Sequence, residues 1–352
     1  GNVRVLDRGW EILCDYARYD RVHRTALLTG NLSLRDSTRV MYADSILYDR
    51  DSETAEAQGN VVLIDEVDDY SIAGKHARYD RSFGEAVVDI DPILTFDLSS
   101  EEPGTIVAEW MKFDIVDKIG IAVDDVSLVK GETRADCDSA AIFNEQGLVS
   151  LFGSPEAVNG RSGMTGERMD IYYEEDEVRR IVIPAEGRLT ESPSPDSPWR
   201  DDSWIIGDSV SIFLSDEKVD SVRIIGNSRA MYYPIEGEAG KVSNNFSAGD
   251  TMFFRFKNDL LNYVRMSGRA EGLYNFITLA NDQTIDSAAA LIDTTLSYRD
   301  FRAYAENVKY NADVIEYFAD TEDILLHRNA ALTYQNRKLG AQRISFNSRI
   351  NV

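Results

Sequence analysis

Apolar residues recur along the chain in a pattern that predicts bent β-strands. In residues 72–79, Ile72 and Gly74 lie two positions apart, as do Ala77 and Tyr79, but a step of three separates the two pairs. A step of two keeps side chains on one face of a strand, so a step of three would place the second pair on the opposite face. A bulge at Gly74 would return both pairs to one side, and small residues favour such a bend. We therefore predict strands that bend at the small residue.

This two-three-two pattern occurs ten times, with a small residue at the bend of each copy. Successive copies lie 29 to 56 residues apart, and the regular spacings fall in the first half of the chain. Such self-similarity is typical of repeat architectures, in which each repeat buries its inner face against its neighbours. The bend residues are Cys14, Ala43, Gly74, Ala108, Cys137, Gly166, Gly207, Gly249, Ala305 and Ala341.

A second half-motif lies between the bends and begins with glycine and asparagine. It reads Gly-Asn-Leu at Gly30 and Gly-Asn-Val at Gly59, and in the tightest copies it starts 16 residues after the bend residue. Turn-forming clusters separate the two halves. Each repeat is thus predicted to hold two strands and two turns, which indicates an all-β rolled sheet or β-solenoid. Looser forms of the half-motif occur at Gly153, Gly187, Gly226 and Gly268.

The irregular spacings indicate where segments are inserted. Residues 192–198 are rich in proline and serine, and residues 237–245 contain two glycines and two asparagines, so we expect surface loops there. We assign the first repeats to residues 1–275 and an irregular segment or degenerate repeat to 276–304. Final repeats at 305–352 are expected to continue the same stack.

Charge and hydropathy limit the partners of the chain. The net charge of −24 disfavours nucleic acids and anionic membrane surfaces. No run of 18 apolar residues predicts a membrane-spanning helix, and no secretory signal is present. Because the chain opens on the half-motif Gly1-Asn2-Val3 without its first half, we expect that a signal sequence or earlier repeats were removed.

The two cysteines occupy equivalent positions in different repeats. Cys14 and Cys137 are both bend residues, four repeats apart. With one strand per repeat in each wall, they would lie about 19 Å from each other, whereas a disulfide needs Cα atoms within about 7 Å. We predict two free thiols that serve as small core residues.

Catalytic motifs are close to absent from the sequence. His23, His76 and His327 show no metal-ligand spacing and are interpreted as surface residues. The chain has no Gly-x-Ser-x-Gly elbow, no phosphate-binding glycine loop and no paired-cysteine zinc signature. We expect no enzyme activity, no cofactor and no metal site.

An acidic residue follows the bend residue in most copies. Such a row of carboxylates suits calcium, and it also resembles the carboxylates of enzymes that cleave polysaccharides. A catalytic site needs only one or two copies, however, so a row in most repeats favours a structural role at turns and edges. The acidic residues are Asp15, Asp44, Glu109, Asp138, Glu167, Asp208, Asp250 and Glu306, and the exceptions are Lys75 and Gln342.

The predicted inner face is apolar and rich in methionine. Five of the seven methionines fall at inward positions, and methionine makes a soft, adaptable lining where a sealed core would use stiffer side chains. This composition favours a groove that accepts flexible acyl chains. The predicted lining residues are Met41, Ile46, Tyr48, Ile72, Ala77, Tyr79, Met111, Phe113, Met164, Met169, Val210, Met252, Phe254, Val308 and Ile344.

The repeats at residues 30–49 and 59–80 resemble the OstA-like family. The shared hallmark is a Gly-Asn-Val strand followed by an Ala-Asp-x-apolar-x-Tyr strand; it fits best over residues 1–80 and more loosely over nearly the whole chain. The family comprises periplasmic bridge proteins of lipopolysaccharide transport and the N-terminal domain of the outer-membrane lipopolysaccharide translocon. This chain is about twice as long as the usual bridge, and it lacks C-terminal barrel strands.

The resemblance implies a β-jellyroll, or β-taco, whose stacked bent antiparallel strands enclose an apolar groove. Acyl chains of lipopolysaccharide would slide along the groove while sugars and phosphates stay outside. It also implies a periplasmic location in a Gram-negative-type envelope and end-to-end pairing of edge strands. The expected partners are lipopolysaccharide or a related glycolipid, other bridge or translocon components, and further copies of the chain.

Three functions follow from these patterns. The first is a non-enzymatic conduit that carries lipopolysaccharide or a similar glycolipid to the outer membrane. The second is a structural or adhesive β-solenoid with a packed lumen and no ligand. The third is a polysaccharide lyase or hydrolase, which the lack of a unique carboxylate cluster disfavours. A filled lumen would contradict the first function, and a single deep acidic cleft would support the third.

Overall fold

The computed structural model is built almost entirely of β-strands. No helix in the described part of the chain is long and apolar enough to span a lipid bilayer. The structure describes residues 3–7, 10–114, 116–174, 177–193, 201–216, 218–233, 241–258, 260–278, 306–335 and 337–347.

The chain forms two compact units, which we call unit 1 (Gly1–Gly160) and unit 2 (Arg161–Val352). The domain boundaries predicted at residues 275 and 305 stay predictions, because residues 279–305 lie outside the described part. Residues 194–200 and 234–240, which include most of the loop predicted at 192–198 and the first part of the one predicted at 237–245, are also outside it. The second loop prediction is wrong for residues 241–245, which belong to a β-strand.

Unit 1 consists of fifteen described strands whose pairings are antiparallel, and the long strands β4 to β7 follow one another as hairpins. They are β1 (Val3–Asp7), β2 (Trp10–Cys14), β3 (Tyr16–Asp20), β4 (Thr25–Arg35), β5 (Arg39–Asp49), β6 (Thr54–Asp65), β7 (Tyr70–Asp80), β8 (Glu85–Ile90), β9 (Ile93–Phe96), β10 (Gly104–Val107), β11 (Trp110–Asp114), β12 (Ile119–Lys130), β13 (Thr133–Phe143), β14 (Leu148–Phe152) and β15 (Glu156–Asn159). A short 3-10 turn, Asn144–Gln146, separates β13 from β14.

Unit 2 has twelve described strands, several of them longer than any in unit 1. They are β16 (Ser162–Thr165), β17 (Arg168–Glu174), β18 (Glu177–Ile183), β19 (Gly187–Glu191), β20 (Ser203–Gly207), β21 (Ser209–Ser215), β22 (Lys218–Tyr232), β23 (Lys241–Lys257), β24 (Leu260–Thr278), β25 (Glu306–Phe318), β26 (Asp323–Tyr334) and β27 (Arg337–Asn347).

The strands bend where the sequence predicts. The register between β5 and β6 shifts at Ala43, between the paired residues Tyr42 and Ser45. Ala43, at the bend, and Ile46, beyond it, are both buried and belong to one apolar cluster. The bulge therefore returns both halves of the strand to the same face, as the two-three-two pattern requires. We call the two halves of a bent strand its arms, and the shared buried side its inner face.

The copy predicted at Ala305 is wrong. The shift in β25 lies between Asn311 and Val314, so the bend residues are Ala312 and Asp313, and Ala305 itself lies outside the described residues. The pattern is intact in the corrected register, with Tyr310 and Ile315 buried on either side of the bend. The sequence favours Ala305 because Val308 and Tyr310 also fit the two-three-two pattern when the bend is placed there, seven residues before Ala312.

Both cysteines are free, as predicted. Cys14 is buried in the apolar cluster of unit 1. Cys137 is half-buried, and its thiol donates to the carbonyl oxygen of Ser139 at 3.4 Å. Burial raises the pKa of the Cys137 thiol to about 11, so the thiol is protonated and unreactive at neutral pH.

Candidate functional site

Apolar rows cross the strands of unit 1 on both arms. On the arm nearer the hairpin turns the row is Leu28, Ile46, Ala57, Ala77, Val88, Met111, Ala122, Ala140 and Leu151, each paired with the next. On the other arm it is Ile12, Leu34, Met41, Leu63, Ile72, Leu94, Ile106, Leu128, Ala135 and Ala157. Within the first strands, residues of both arms pack into one cluster. Unit 1 thus has a continuous apolar inner face.

Unit 2 repeats this arrangement with larger side chains. One arm carries the row Val210, Ile224, Met252, Met266, Ile315, Leu326 and Ile344. The other carries Met164, Leu189, Ile205, Ala230, Ser247, Gly272, Tyr310, Leu332 and Leu339. The first row has no alanine, whereas the matching row of unit 1 has four. On the first arm, therefore, the side chains of unit 2 are larger than those of unit 1, whereas its second row includes the small residues Ala230, Ser247 and Gly272.

Nearly all the predicted lining residues are withdrawn from solvent. Half-buried are Met41, Tyr48, Ala77, Phe113, Met164 and Val308, and buried are Ile46, Ile72, Met111, Met169, Val210, Met252, Phe254 and Ile344. Tyr79 is 37% exposed. That these side chains line a lipid-binding groove stays a prediction.

The three aromatic lining residues of unit 1 share one cross-strand row near the hairpin turns. Tyr48 pairs with Ala26 and Ala55, Tyr79 with Ala55 and Ala86, and Phe113 with Ala86 and Gly120. Each ring therefore has only small residues beside it. The alternation is visible in the sequence once the register is known, and it explains why Tyr79, close to the turn, keeps part of its ring in solvent.

In several copies the acidic residue after the bend has a structural partner. The Nδ2 atom of Asn60 donates to both carboxylate oxygens of Asp44, at 3.2 and 3.0 Å, and Asn227 binds Asp208 in the same way. The glycine before each of these asparagines has a positive φ, and a Cβ atom on it would overlap the carboxylate. A glycine-asparagine pair therefore fits here, since both residues tolerate the left-handed conformation. In these copies the carboxylate secures the bend.

Other copies use different residues at the same bend. Asn31 donates to Asp15 at 2.6 Å, Asn329 to Asp313, and Arg269 to Asp250. Lys75 reverses the roles, because its ammonium group donates to Asp91. The half-motif predicted at Gly187 begins two residues earlier, since the carbonyl oxygen of Ala185 accepts from the N–H of Glu167 as that of Gly226 does from Asp208, and Glu186 holds the positive φ of the asparagine position. The side chain of Glu306 is outside the described part. Among the described residues, no three His, Cys, Asp or Glu side chains are grouped to hold a metal ion.

Aspartates also shape the hairpin turns of unit 1. The carboxylate of Asp49 accepts hydrogen bonds from the backbone N–H groups of Asp51 and Ser52, which hold the pKa of Asp49 below its usual range. Asp20 forms the same turn. Its contact with the His23 ring, together with the turn amides, lowers the pKa of Asp20 to about 2. These carboxylates stay ionised at any physiological pH.

Two histidines that appear unremarkable in the sequence lie in polar networks. His76 is largely withdrawn from solvent, with Nδ1 at 2.6 Å from Asp89 and Nε2 at 3.0 Å from Glu56. The contact with Asp89 is the main reason why the pKa of His76 is raised. Its partners come from β6 and β8 on either side of β7, so a single-sequence reading could not have found them. His327 contacts Glu316, which also accepts a hydrogen bond from the Tyr263 hydroxyl at 2.6 Å.

No protein-family model matches the sequence, and no curated protein matches it either. Among solved structures, the chain is similar to LptH, the LptA homologous periplasmic component of the conserved lipopolysaccharide transport device from Pseudomonas aeruginosa. The alignment covers 39% of this chain and 82% of LptH, at 15% sequence identity and a TM-score of 0.30. A likeness at that level supports no conclusion about function. What the strands themselves establish is an all-β, jellyroll-like fold with an apolar inner face.

Proposed function

We propose that the chain is a non-enzymatic carrier whose inner face receives the acyl chains of lipopolysaccharide or a similar glycolipid. The observation that supports this most directly is the pair of apolar rows on the two arms of unit 1, which cross all of its long strands. A row that continues from strand to strand offers an extended apolar path. The resemblance of the repeats to OstA-like proteins points to the same class of ligand.

Transfer of acyl chains from water would drive binding. Each methylene group removed from water contributes about 0.8 kcal/mol. The alanines at positions 57, 77, 122 and 140 make one inner row of unit 1 less bulky than the matching row of unit 2. Inner residues of both units, such as Met111 and Ile315, are no more than 1% exposed. Acyl chains would therefore require the arms to separate in both units, and the smaller side chains favour binding in unit 1.

The edge strands suit assembly with other chains. Within the described residues, β1 pairs with β2 alone and β27 with β26 alone, so each presents one row of unpaired backbone groups. Such edges readily pair with another strand. We propose that the edges join the chain to further copies or to other transport components in the periplasm, on the path to the outer membrane.

A structural solenoid without a ligand is the second candidate. The observation that favours it is the dense packing in unit 2, where Val210, Ile224 and Ile315 are fully buried. Side chains that already fill the inner face would leave no space for a lipid.

Photo-crosslinking in unit 1 separates the two functions. Met41 lies on the inner face against the apolar cluster, while its neighbour Tyr42 is 43% exposed on the opposite face of β5. A benzophenone amino acid is placed at each position in turn, and the protein is irradiated with purified lipopolysaccharide. The carrier function predicts adducts at position 41 and few at position 42.

The other outcomes contradict the proposal. Adducts at neither position would favour the packed solenoid, and adducts only at position 42 would place lipopolysaccharide on the outer surface. Circular dichroism of both variants confirms that the fold is retained. Because the two positions are adjacent, they share the same local concentration of lipid.

A further inference from the structure

The outer face of unit 2 carries a row of arginines and aromatic rings. In the row nearest the hairpin turns, Tyr172 pairs with Arg180, Arg180 with Phe213, Arg255 with Tyr263, and Tyr263 with Phe318. The Arg180 guanidinium lies 4.1 Å from the centroid of the Tyr172 ring. Arg255 lies 5.6 Å from the ring centroid of Phe253 and 5.9 Å from that of Tyr263. Rings and guanidinium groups therefore alternate along this face.

The next cross-strand row on the outer face contains two arginines with a phenylalanine between them. Arg223, Phe253 and Arg265 are consecutive cross-strand partners on β22, β23 and β24, so the Phe253 ring lies between two exposed arginines. An open depression of about 650 Å³ surrounds them and is also lined by Asp220 and Ser267.

Neither Arg223 nor Arg265 forms a direct ion pair with a carboxylate in the described part of the chain. Arg265 does interact with the Tyr263 hydroxyl and, electrostatically, with its cross-strand partner Glu316, which Tyr263 and His327 also contact. In a chain with a net charge of −24, two such arginines beside an aromatic ring form a local cationic site. Guanidinium groups bind phosphate and carboxylate in bidentate geometry.

We propose that this surface, the arginine–aromatic site (Arg223, Phe253, Arg265, Asp220 and Ser267), binds an acidic oligosaccharide. Phosphate or carboxylate groups of the saccharide pair with Arg223 and Arg265. The apolar face of a sugar ring stacks on Phe253. Sugar hydroxyls donate to the Asp220 carboxylate and exchange hydrogen bonds with Ser267.

Asp220 and the overall charge favour a saccharide over a single-stranded nucleic acid. Aromatic rings and arginines also bind nucleic-acid strands. A carboxylate beside the arginines, however, repels a phosphodiester chain and accepts hydrogen bonds from sugar hydroxyls. The large net negative charge penalises a long polyanion more than a short oligosaccharide that carries only a few charges. This inference does not depend on the inner face binding lipid.

The ligand for the test is lipopolysaccharide from which all acyl chains have been removed, which leaves a phosphorylated oligosaccharide. Binding is measured by isothermal titration calorimetry on the whole chain. Arg223→Gln together with Arg265→Gln is expected to weaken binding about tenfold or more, because two charge-assisted contacts are lost. Phe253→Leu is expected to weaken it about fivefold. The control, Arg50→Gln with Arg81→Gln, removes the same charge from exposed turns of unit 1 and should leave binding unchanged.

Each other outcome overturns the inference. If the Arg50→Gln, Arg81→Gln control weakens binding as much, the effect is due to the change in net charge and not to a local site. Unchanged binding by the Arg223→Gln, Arg265→Gln double variant would remove the role of the arginines. Tighter binding of a short single-stranded DNA would show a nucleic-acid site instead. Binding of intact lipopolysaccharide but not of the acyl-free form would assign recognition to the inner face alone. All variants alter exposed or half-buried outer side chains, and circular dichroism confirms their fold.

Discussion

Units 1 and 2 share one pattern at the bend and differ six residues beyond it. In four of the five copies in unit 1 the sixth residue after the bend is an aspartate, at Asp20, Asp49, Asp80 and Asp114, and each begins a hairpin turn by accepting hydrogen bonds from the backbone. In unit 2 no copy has an aspartate there, and the strand continues past Tyr172, Phe213 and Arg255. Strand β13 nevertheless ends at Phe143 and β25 at Phe318. An aspartate at this position therefore ends the arm, whereas another residue permits a longer arm without requiring it.

Longer arms in part of unit 2 change what the outer face can bind. The residues that contact each other at the bend are 16 apart in sequence for Asp44 and Asn60 in unit 1 and for Asp313 and Asn329 in unit 2, but 19 apart for Asp208 and Asn227. The additional residues are absorbed by a second register shift near the turn, as between Phe213 and Leu214. The extension adds the outer row of arginines and rings without altering the inner rows. The inner face is constrained by packing, whereas the arm length is free to vary.

The largest effect should come from the inner rows. Ile224→Ala truncates a fully buried side chain that has Val210 and Met252 as cross-strand neighbours, and we expect a loss of about 3 kcal/mol in unfolding free energy. Ile46→Ala in unit 1 has Leu28 and Ala57 beside it, so less packing is lost and about 2 kcal/mol is expected.

Urea unfolding of both variants measures this difference between the units. Ile225→Ala, on the exposed face next to Ile224, is the control and should change stability by less than about 0.5 kcal/mol. A greater loss for Ile46→Ala than for Ile224→Ala would show that the inner face of unit 1 is the more tightly packed one.

A smaller effect, equal in the two units, is expected at the bends. Gly59→Ala and Gly226→Ala each force a left-handed residue to carry a Cβ atom against an aspartate, and each should cost about 2 kcal/mol. Gly120→Ala is the control, because its φ is ordinary and its Cβ would meet Phe113 at 3.5 Å. Thermal unfolding would contradict a shared bend if one of the two variants were as stable as the wild type.

Much of the fold is readable from the sequence, because the two-three-two spacing encodes a bulge wherever a small residue occupies the bend. Partners across strands are harder to read. The glycine-asparagine pair can be recognised in the sequence. Asp124 and Asp125 adopt the same left-handed conformation without glycine or asparagine, so this copy cannot be recognised from the motif. The arginine–aromatic site escaped prediction for a related reason. Its members lie on separate strands, and only the register brings Arg223, Phe253 and Arg265 together.

A pH-dependent effect should appear in unit 1 at His76. Asp89 and Glu56 raise the pKa of His76, so the folded protein holds this proton more tightly than the unfolded chain. The stabilisation is complete below the ordinary histidine pKa of about 6.5 and is lost as the pH rises through the higher folded value. His76→Gln should therefore lower the Tm at pH 6 by about 1 to 2 °C and change it less at pH 9. An equal loss at both pH values would mean that the imidazole acts through packing alone.

The smallest effect tests whether the bend pair is interchangeable between copies. At Lys75 and Asp91 the donor and acceptor are reversed relative to Asp44 and Asn60, although both pairs are 16 residues apart. Lys75→Asp alone would place two carboxylates together and should destabilise unit 1 by about 0.5 kcal/mol, as expected for an exposed pair. Adding Asp91→Asn recreates the aspartate–asparagine pair of the other copies and should restore the lost stability, because asparagine tolerates the positive φ of residue 91. If thermal unfolding shows the double variant to be no more stable than the single one, the bend depends on the residues of each copy and not on a pairing that all copies share.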